Sequence, residues 1–439
     1  MNKTALIMGT GISGRGAAQL LLRKGWRVCV YDDGGVCVPA GCEDRSGLSP
    51  ERALHGVDML VLSPGVKPRN ALSEYAALCG IEVLGEVELA FRHSRGEIVA
   101  VTGTNGKTTV TLLLKEILSA AGIESYAMGN IGVSFAENAD RIGEDAVVVL
   151  ELSSFQLESI VDFRSKYAVC LNITPDHYER HATFAEYTDA KRKIFVNQTS
   201  EDVAVLNYDD ETVRAFESDI ASRVYFFSLR QKVRGCYIES GKIYFCDERD
   251  EFVANADDLL MRGEHNLANA LACVCVAKLM GVKSEVIEKV LRRFSAPRFR
   301  LQYTGEVNGK KVYNDSKATN IDSTLKACRA MKGSTVLIMG GYDKGISYEN
   351  FFARLPRTVK RVIVTGDNAQ SIKDGLPPER DFSFEITPSL FDAAQRACSG
   401  EEEIVLFSPS TSSFDRYADF EERGEAFDCI VGALGCGRV

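Results

Sequence analysis

The sequence has little of several features that mark specialised classes of protein. Its 439 residues include one tryptophan and five histidines, with no long basic run and no apolar run long enough to cross a bilayer. The net charge of -9, from 52 basic and 61 acidic residues, argues against nucleic-acid binding. The first residues enter a strand pattern and a glycine turn directly, without the features of a signal peptide. We therefore expect a cytoplasmic monomer with neither a nucleic-acid partner nor a membrane association.

The thirteen cysteines lack the paired spacings that are typical of zinc sites. Cys273 and Cys275 lie too close together to form the usual half of such a site, and Cys29 and Cys170 fall inside apolar runs. We predict structural thiols in a reducing compartment rather than disulfides.

Short runs rich in valine and isoleucine alternate with longer helical patterns along most of the chain, which predicts an α/β fold with parallel sheets covered by helices. The predicted strands are residues 4–8, 27–31, 58–62, 97–101, 146–150, 167–171, 335–339 and 361–365. The predicted helices include residues 108–121 and 266–280. Residues 236–253, with Ser240-Gly241 between two alternating runs, predict an antiparallel hairpin.

Three glycine-marked strand ends, after Met8, Val101 and Met339, divide the chain into units that each resemble a nucleotide-type α/β domain. The length suits two to four domains. We predict a Rossmann-like domain at residues 1–93 and a Rossmann-like domain at residues 297–439. Between them, residues 94–296 are predicted to form a central P-loop-type domain whose sheet is mostly parallel with a small antiparallel part.

The strongest motif is a glycine-rich turn between a predicted strand and a predicted helix. Residues 102–109 read Thr-Gly-Thr-Asn-Gly-Lys-Thr-Thr. Such a turn directs backbone N–H groups at one anionic position, and the helix dipole adds to the field. Lys107 is placed to reach terminal phosphates and Thr108 to hold Mg²⁺. Val101 stands where the strict pattern has glycine, yet the context favours a nucleotide site over an ordinary turn.

Two further strand ends carry side chains suited to a metal site. Glu151 follows the apolar run 147–150, and His177 ends the segment Asn-Ile-Thr-Pro-Asp-His that begins at Asn172. Such strand ends meet at the ligand-binding edge of a parallel sheet, and Mg²⁺ takes one or two oxygen ligands from protein. Alone, Glu151 fits a helix cap about as well, and a single histidine is more often structural. Together with the glycine-rich turn, they predict a phosphoryl-transfer site.

The N-terminal segment matches the dinucleotide fingerprint. Gly9, Gly11 and Gly14 have the expected spacing, and Asp32 lies where an acidic side chain can bind a ribose hydroxyl. Two interpretations stay open here, an NAD site or a site for the pyrophosphate of another nucleotide. The phosphate-type turn elsewhere in the chain makes a redox cofactor the less favoured of the two.

Three polar segments follow predicted strands in the last third of the chain, at residues 314–320, 340–345 and 408–415. The first reads Asn-Asp-Ser-Lys-Ala-Thr-Asn and comes after a hairpin with an Asn308-Gly309 turn. Lys317 and Thr319 fit a clamp for an acidic substrate, although so polar a run also fits a loop and a helix cap. Polar strand ends that converge predict a small-molecule pocket.

Taken together, these segments resemble the Mur ligase family, whose members add amino acids to a UDP-muramic acid precursor of peptidoglycan. The resemblance covers the whole chain in order. It includes the glycine-rich turn, Glu-Leu-Ser-Ser-Phe-Gln-Leu from Glu151, Asn-x-x-x-Asp-His from Asn172 and Gly-Glu-His-Asn-x-x-Asn-Ala from Gly263. The first glycine motif, the run that begins at Asn314 and Ser-Pro-x-x-x-Ser-x-Asp from Ser408 are similar to the D-glutamate-adding members.

The resemblance implies ATP-dependent ligation through an acyl phosphate. Its implied substrates are UDP-N-acetylmuramoyl-L-alanine, D-glutamate and ATP, with two Mg²⁺ ions and a carbamylated Lys191. Two alternatives stay open. A folylpolyglutamate-synthase-like ligase would share the ATP loop and the carbamate lysine but lack the N-terminal glycine motif. A nucleotide-binding oxidoreductase or regulator would bind NAD in the first domain and have no ligase activity.

The resemblance also implies roles for individual residues. The implied catalytic residues are Lys107, Lys191 and His177, and the implied metal-binding residues are Thr108, Glu151, His177 and Lys191. The implied ATP-binding residues are Gly103, Thr104, Asn105, Gly106, Lys107, Thr108, Thr109, Asn266, Asn269, Arg300 and Asp315. The implied UDP-substrate-binding residues are Gly11, Ile12, Ser13, Asp32, Gly65, Asn130 and His177. The implied D-glutamate-binding residues are Lys317, Thr319, Lys344, Ser413 and Phe420.

Overall fold

The computed structural model describes residues 3–32, 38–177, 180–261, 263–295 and 298–435. These residues form two compact units. The first contains the described residues up to Pro175 together with Arg180–Ser295. The second contains Asp176, His177 and the described residues from Arg298 onward. Within the described ranges, no helix has both the length and the apolar character needed to cross a membrane.

The first unit begins with a five-stranded parallel sheet of order β3-β2-β1-β4-β5. Its strands are rich in valine, isoleucine and leucine and are covered by helices, as buried parallel strands require. The strands are β1 (Thr4–Met8), β2 (Arg27–Tyr31), β3 (Cys42–Asp44), β4 (Met59–Leu62) and β5 (Glu82–Gly85). The helices are α1 (Ile12–Arg23), α2 (Pro50–Ala53), α3 (Ala71–Leu78) and α4 (Glu86–Phe91).

The same unit contains a nine-stranded sheet of order β14-β13-β12-β11-β10-β9-β6-β8-β7. It is parallel except at one edge, where β12–β13 and β13–β14 pair antiparallel. The strands are β6 (Glu97–Thr102), β7 (Ser125–Gly129), β8 (Val147–Glu151), β9 (Tyr167–Cys170), β10 (Val203–Asn207), β11 (Arg223–Ser228), β12 (Gly235–Glu239), β13 (Lys242–Cys246) and β14 (Asp250–Asn255). The helices are α5 (Lys107–Ala120), α6 (Phe135–Asn138), α7 (Ser154–Leu157), α8 (Phe184–Arg192), α9 (Glu211–Arg214), α10 (Glu264–Leu279) and α11 (Ser284–Leu291).

The second unit is built on a six-stranded sheet of order β15-β16-β20-β17-β18-β19, in which only the β15–β16 pair is antiparallel. Its strands are β15 (Gln302–Val307), β16 (Lys310–Asn314), β17 (Thr335–Met339), β18 (Val359–Val364), β19 (Ser383–Ile386) and β20 (Ile404–Phe407). Its helices are α12 (Ile321–Ala330), α13 (Glu349–Ala353), α14 (Ala369–Asp374), α15 (Leu390–Cys398) and α16 (Phe420–Gly435).

Two buried carboxylates on α4 join the two sheets of the first unit. Glu86 accepts hydrogen bonds from the Ser134 hydroxyl (3.3 Å) and the Ala136 N–H (3.0 Å). One oxygen of Glu88 accepts three backbone N–H bonds from residues 161–163. The guanidinium of Arg92 donates to its other oxygen at 3.0 Å. Burial raises the pKa of Glu86 to about 7, although its two hydrogen bonds act in the opposite direction, and no cation pairs with it among the described residues.

The predicted α/β class, with its mostly parallel sheets and small antiparallel part, is confirmed. The predicted strands are present with shifts of one or two residues at some ends, and Ser240-Gly241 turns between β12 and β13. The eleven cysteines among the described residues are all free thiols, as predicted. The predicted boundary between residues 296 and 297 lies outside the described residues.

Candidate functional site

The carboxyl edge of the nine-stranded sheet brings three of the predicted motifs together. Strand β6 lies between β8 and β9, so the chain order of the strands reverses at β6. Open α/β sheets bind ligands in the crevice outside such a switch point. The glycine-rich turn follows β6, Glu151 ends β8, and Asn172 follows β9. Their closeness therefore arises from strand order, since they are far apart in sequence.

The glycine-rich turn has the geometry of a phosphate-binding loop. Gly106 has φ 92° and precedes α5, which begins at Lys107. A Cβ on Gly106 would lie 2.3 Å from Oδ1 of Asn269, so both the backbone angle and the packing require glycine. The Lys107 ammonium donates to the carbonyl oxygens of Gly103 (2.8 Å) and Thr104 (2.9 Å). The turn leads directly into the N-terminus of α5, and such termini are suited to binding anions.

Asn172 and Tyr187 hold this loop in place, and the sequence motifs assigned neither a role. The Asn172 amide accepts from the Asn105 N–H and donates to the Asn105 carbonyl, both at 2.9 Å. The Tyr187 hydroxyl lies 3.0 Å from the Thr104 hydroxyl. Asn172 stands inside a motif that we singled out, whereas Tyr187 is on α8 and had no signal in the sequence. Together they fix the backbone between β6 and α5.

Glu151 is a buried carboxylate at this edge, and only one of its two oxygens accepts a hydrogen bond from a described residue. Its side chain is 2% exposed, and Oε1 accepts from the Asn130 amide at 3.0 Å. Oε2 is buried and has no hydrogen-bond partner among the described residues. A buried carboxylate oxygen without a donor is costly unless a cation binds it. Within those residues no group of three or more His, Cys, Asp or Glu is placed to hold a metal ion.

Lys191 lies at the same loop. It is 1% exposed, at the end of α8, and its ammonium donates to the Gly103 carbonyl at 2.8 Å. Lys107 donates to that same oxygen, so two lysines converge on one carbonyl. The Lys191 ammonium also lies 4.8 Å from the centre of the Tyr187 ring.

The N-terminal glycine turn is held by Asp32 and Ser63. Oδ2 of Asp32 accepts from the Thr10 N–H (2.7 Å) and the Thr10 hydroxyl (2.8 Å). The Ser63 hydroxyl donates to the Gly9 carbonyl at 2.7 Å. A Cβ on Gly14 would lie 1.8 Å from that carbonyl, which explains the third glycine of the fingerprint. One oxygen of Asp32 therefore shapes the turn.

The second unit has its own set of polar strand ends. Asp315, just after β16, is buried and accepts from the Ser408 hydroxyl (2.8 Å) and the Leu301 N–H (2.9 Å). Burial raises its pKa to about 7, although those hydrogen bonds and nearby Arg300 act in the opposite direction. A carboxylate kept at such cost beside a charged partner is typical of functional sites.

Two pairs of the residues predicted to surround the amino-acid substrate are in contact in this unit. The Lys317 ammonium lies 3.5 Å from the centre of the Phe420 ring. The Lys344 ammonium donates to the Thr319 carbonyl at 3.1 Å. Ser413 is buried in the loop after β20, the strand that pairs with β16 and β17.

The structure divides the predicted residues between the two units. The first unit contains Gly11, Ile12, Ser13, Asp32, Gly65, Gly103, Thr104, Asn105, Gly106, Lys107, Thr108, Thr109, Asn130, Glu151, Lys191, Asn266 and Asn269. The second contains His177, Arg300, Asp315, Lys317, Thr319, Lys344, Ser413 and Phe420. His177 has φ 57°, and its ring Nε2 lies 3.9 Å from Oδ2 of Asp176.

These features define the class: an α/β protein built around a phosphate-binding loop at a sheet switch point. Residues 101–277 match the Mur ligase middle domain, and residues 299–411 match the domain described as "Mur ligase, glutamate ligase domain".

Two relatives named UDP-N-acetylmuramoylalanine--D-glutamate ligase resemble the chain over nearly its whole length. The protein from Caldanaerobacter subterraneus subsp. tengcongensis is 39% identical, with 98% of each chain covered. The protein from Thermoanaerobacter sp. (strain X514) is also 39% identical, with 98% of each chain covered. A solved pseudomurein peptide ligase type C from Methanothermus fervidus shares the fold, at 17% identity and TM-score 0.62, covering 98% of this chain and 100% of its own. The chain belongs to the Mur ligase family, whose members use ATP and Mg²⁺.

Proposed function

We propose that the protein is an ATP-dependent ligase that joins D-glutamate to UDP-N-acetylmuramoyl-L-alanine through an acyl phosphate, in cytoplasmic peptidoglycan precursor synthesis. The observation that carries the proposal is the full-length similarity, at 39% identity, to proteins named for this reaction. The similarity covers 98% of the chain and so includes most of the N-terminal domain, whose glycine motif a folylpolyglutamate-synthase-like ligase should lack. We also propose domain limits of 1–93, 94–296 and 297–439, each of which contains one of the three sheets.

The phosphate-binding loop supports ATP as the phosphoryl donor. Its turn, the start of α5 and Lys107 supply N–H groups and a cation for the phosphates. Asn269 lies against Gly106, and Asn266 is one helical turn earlier on the same face of α10. This arrangement places both asparagines near the loop, as adenine or ribose ligands would need to be. Arg300 and Asp315 are the proposed ATP contacts in the second unit.

The donor set of the first unit fits magnesium. Glu151 offers a buried oxygen without a hydrogen-bond donor among the described residues, and Thr108 stands on the first turn of α5. We propose these two residues, with His177 and a carbamylated Lys191, as ligands of two Mg²⁺ ions. When bound, Mg²⁺ neutralises charge on the phosphates during transfer.

The surroundings of Lys191 support its carbamylation. In that reaction the amine nitrogen bonds to the carbon of CO₂ and releases a proton, which leaves an anionic carbamate. The change would replace one of two like charges at the Gly103 carbonyl with an anion next to Lys107. It would also create an oxygen ligand suited to a hard cation. Lysine can undergo this reaction because its amine can be uncharged, which the guanidinium of arginine cannot.

The two ends of the proposed reaction use the remaining strand-end residues. Gly11, Ile12, Ser13, Asp32 and Gly65 are the proposed contacts of the UDP moiety, with Asn130 and His177 at the muramoyl part. Lys317, Thr319, Lys344, Ser413 and Phe420 are the proposed D-glutamate contacts. Three of these, Lys317, Thr319 and Lys344, supply cations or a hydroxyl for the two carboxylates of that amino acid.

The chemistry would proceed in two steps. The alanyl carboxylate oxygen attacks the γ-phosphorus of ATP, forming the acyl phosphate and releasing ADP, while Lys107 stabilises charge on the transferring group. The D-glutamate amine then attacks the acyl carbon. The tetrahedral intermediate collapses with loss of phosphate, and the amine gives up a proton. Positioning and electrostatics supply most of the acceleration expected of such a site.

The test is phosphate release by the purified protein with ATP, Mg²⁺, UDP-N-acetylmuramoyl-L-alanine and D-glutamate. We expect release that requires both the nucleotide substrate and D-glutamate. Release that depends on L-lysine instead of D-glutamate would place the protein elsewhere in the family. If phosphate release does not depend on both substrates, the ligase proposal is refuted.

A further inference from the structure

Arg423, on the first turn of α16, is a buried arginine to which the sequence motifs assigned no role. It is 3% exposed, and its guanidinium donates four hydrogen bonds. Nε donates to the Ser316 hydroxyl (3.0 Å), and Nη1 donates to the Ser412 carbonyl (3.0 Å). Nη2 donates to the carbonyls of Ser316 (2.8 Å) and Thr411 (3.0 Å). Burial lowers its pKa to about 10, so it remains a cation at neutral pH.

These bonds join three segments of the second unit. Ser316 lies in the loop after β16, Thr411 and Ser412 lie in the loop after β20, and Arg423 itself lies on α16. Strands β16 and β20 are paired neighbours, so the two loops leave the same edge of the sheet. The Ser316 hydroxyl also donates to the Phe420 carbonyl at 2.9 Å, which connects its loop to the start of α16. One guanidinium therefore sets the relative positions of both loops and the helix.

The orientation of the peptides after Thr411 and Ser412 follows from these bonds. A trans peptide points its N–H opposite to its carbonyl. Because the carbonyls of Thr411 and Ser412 face Arg423, the N–H groups of Ser412 and Ser413 face the other way. Within the part of the chain that the structure describes, neither N–H donates a hydrogen bond. Adjacent N–H groups that are aimed the same way bind anions well.

We propose that Arg423 is a positioning residue for the acidic amino-acid substrate: it orders the loop 411–413 so that its N–H groups face the substrate carboxylate. This inference rests on the proposed function, since it takes D-glutamate as the acceptor. The fixed fork of a guanidinium holds several carbonyls at once, which a lysine ammonium does not.

The test compares Arg423→Lys and Arg423→Met in the full-length protein. We expect the KM for D-glutamate to rise about 10- to 100-fold, because small misplacements of a binding loop have effects of this size. The KM for ATP should stay within about twofold, because Asp315, the proposed ATP contact next to Ser316, is held by the Ser408 hydroxyl and the Leu301 N–H rather than by Arg423. Acyl-phosphate formation from ATP and the nucleotide substrate, measured without D-glutamate, should be retained.

The matched control is Arg361→Lys. Arg361 lies within β18 of the same sheet and is half-buried, and its guanidinium donates to Glu385 and to the Arg396 carbonyl, so it is a multiply bonded arginine that contacts neither loop. It should leave the KM for D-glutamate unchanged. Equal changes in the KM values for ATP, the nucleotide substrate and D-glutamate would overturn the positioning role. So would an Arg423 variant that loses only thermal stability.

Two further measurements keep the test decisive. If the Arg423 variants do not fold, Ser316→Ala removes only the Nε acceptor and the bond to Phe420, and we expect a smaller rise confined to the KM for D-glutamate. An unchanged KM in folded Ser316→Ala protein would overturn the proposal. Equilibrium dialysis of labelled D-glutamate, with a non-hydrolysable ATP analogue and the nucleotide substrate, separates a failure of the proposed function from a failure of the positioning role of Arg423. Weaker binding to the variants supports the role of Arg423 even if turnover fails, and equal binding refutes it.

Discussion

Two loops in this molecule have carbonyl oxygens that are held by buried cations, and the cations differ in kind. In the first unit, Lys107 and Lys191 both donate to the Gly103 carbonyl. In the second unit, the single cation of Arg423 donates to the carbonyls of Thr411 and Ser412 in the loop after β20. Both loops follow strands at the carboxyl edge of their sheets, where α/β proteins bind ligands.

The difference separates a reactive cation from a purely structural one. A lysine amine can lose its charge and form a bond to carbon, whereas a guanidinium keeps its charge and offers a rigid fork. A pair of lysines at the phosphate loop is therefore suited to chemistry and to metal binding after modification. A single arginine at the other loop is suited to holding a backbone in one conformation.

The largest expected effect comes from replacing Lys191 at the first loop with arginine, the kind of cation that holds the second loop. Lys191→Arg keeps a cation near Gly103 but cannot be carbamylated, so we expect activity to fall about 10³-fold or more, the scale for losing a key electrostatic group. Lys191→Ala should be equally inactive, and high bicarbonate, chloride or a short carboxylic acid should partly restore it. Steady-state phosphate release measures both.

Lys193→Arg is the control, because that lysine lies just after α8 and donates to the Glu158 carbonyl away from the loop. It should retain wild-type turnover. A carbonyl signal from ¹³C-bicarbonate in the wild type, absent in Lys191→Arg, would support the modification. An active Lys191→Arg protein would remove the carbamate from the mechanism.

Glu151→Gln tests whether the buried carboxylate of Glu151, at the same sheet edge as the first loop, needs a bound cation. The amide keeps an acceptor for Asn130 but removes the charge from the buried oxygen. We expect kcat to fall about 10²- to 10³-fold and the Mg²⁺ requirement to rise. Without Mg²⁺, the thermal midpoint should increase, because the change replaces a buried carboxylate whose Oε2 has no hydrogen-bond donor among the described residues with a neutral amide. A lower midpoint would show that the carboxylate has a structural partner instead.

Asp315→Asn tests the carboxylate of the second unit. Its pKa is raised to about 7, so ionisation costs folding free energy that is complete above pH 7 and disappears as the pH falls towards 4. We expect the variant to be more stable at pH 8 by up to about 3 kcal/mol, with the advantage vanishing at low pH. The KM for ATP should rise about tenfold, the scale of one lost hydrogen bond to a ligand. Thermal midpoints between pH 5 and 8 measure the stability, and a difference that does not vary with pH would contradict the origin of the shift.

The smallest effect is expected from Tyr187→Phe. The change removes the hydroxyl that lies 3.0 Å from the Thr104 hydroxyl but keeps the ring under Lys191. Losing one hydrogen bond of about 1 kcal/mol should raise the KM for ATP a few-fold. Tyr208→Phe, whose ring packs on Phe226, is the control and should change neither KM nor kcat. A loss as large as that of Lys191→Arg would mean that the hydroxyl takes part in the chemistry.

Much of the fold could be predicted because its strands are short, apolar and bounded by turn residues. β1 and β17 match the predicted ranges in full, and β6 and α5 bracket the glycine-rich turn as the motif requires. The order of strands within each sheet could not be read from periodicity, since it depends on which strands pair across long separations. Contacts such as Tyr187 with Thr104 lie beyond any local pattern for the same reason.

By itself, the sequence determined the α/β class, the phosphate loop at Gly103–Lys107 and the family, because these depend on local spacing and on motifs in chain order. Only the tertiary structure decided that Lys107 and Lys191 share one carbonyl, that an oxygen of Glu151 is buried without a hydrogen-bond donor among the described residues, and that Arg423 joins two loops. Each of those facts depends on strand pairing and burial. Strand pairing and burial bring together groups that are far apart along the chain.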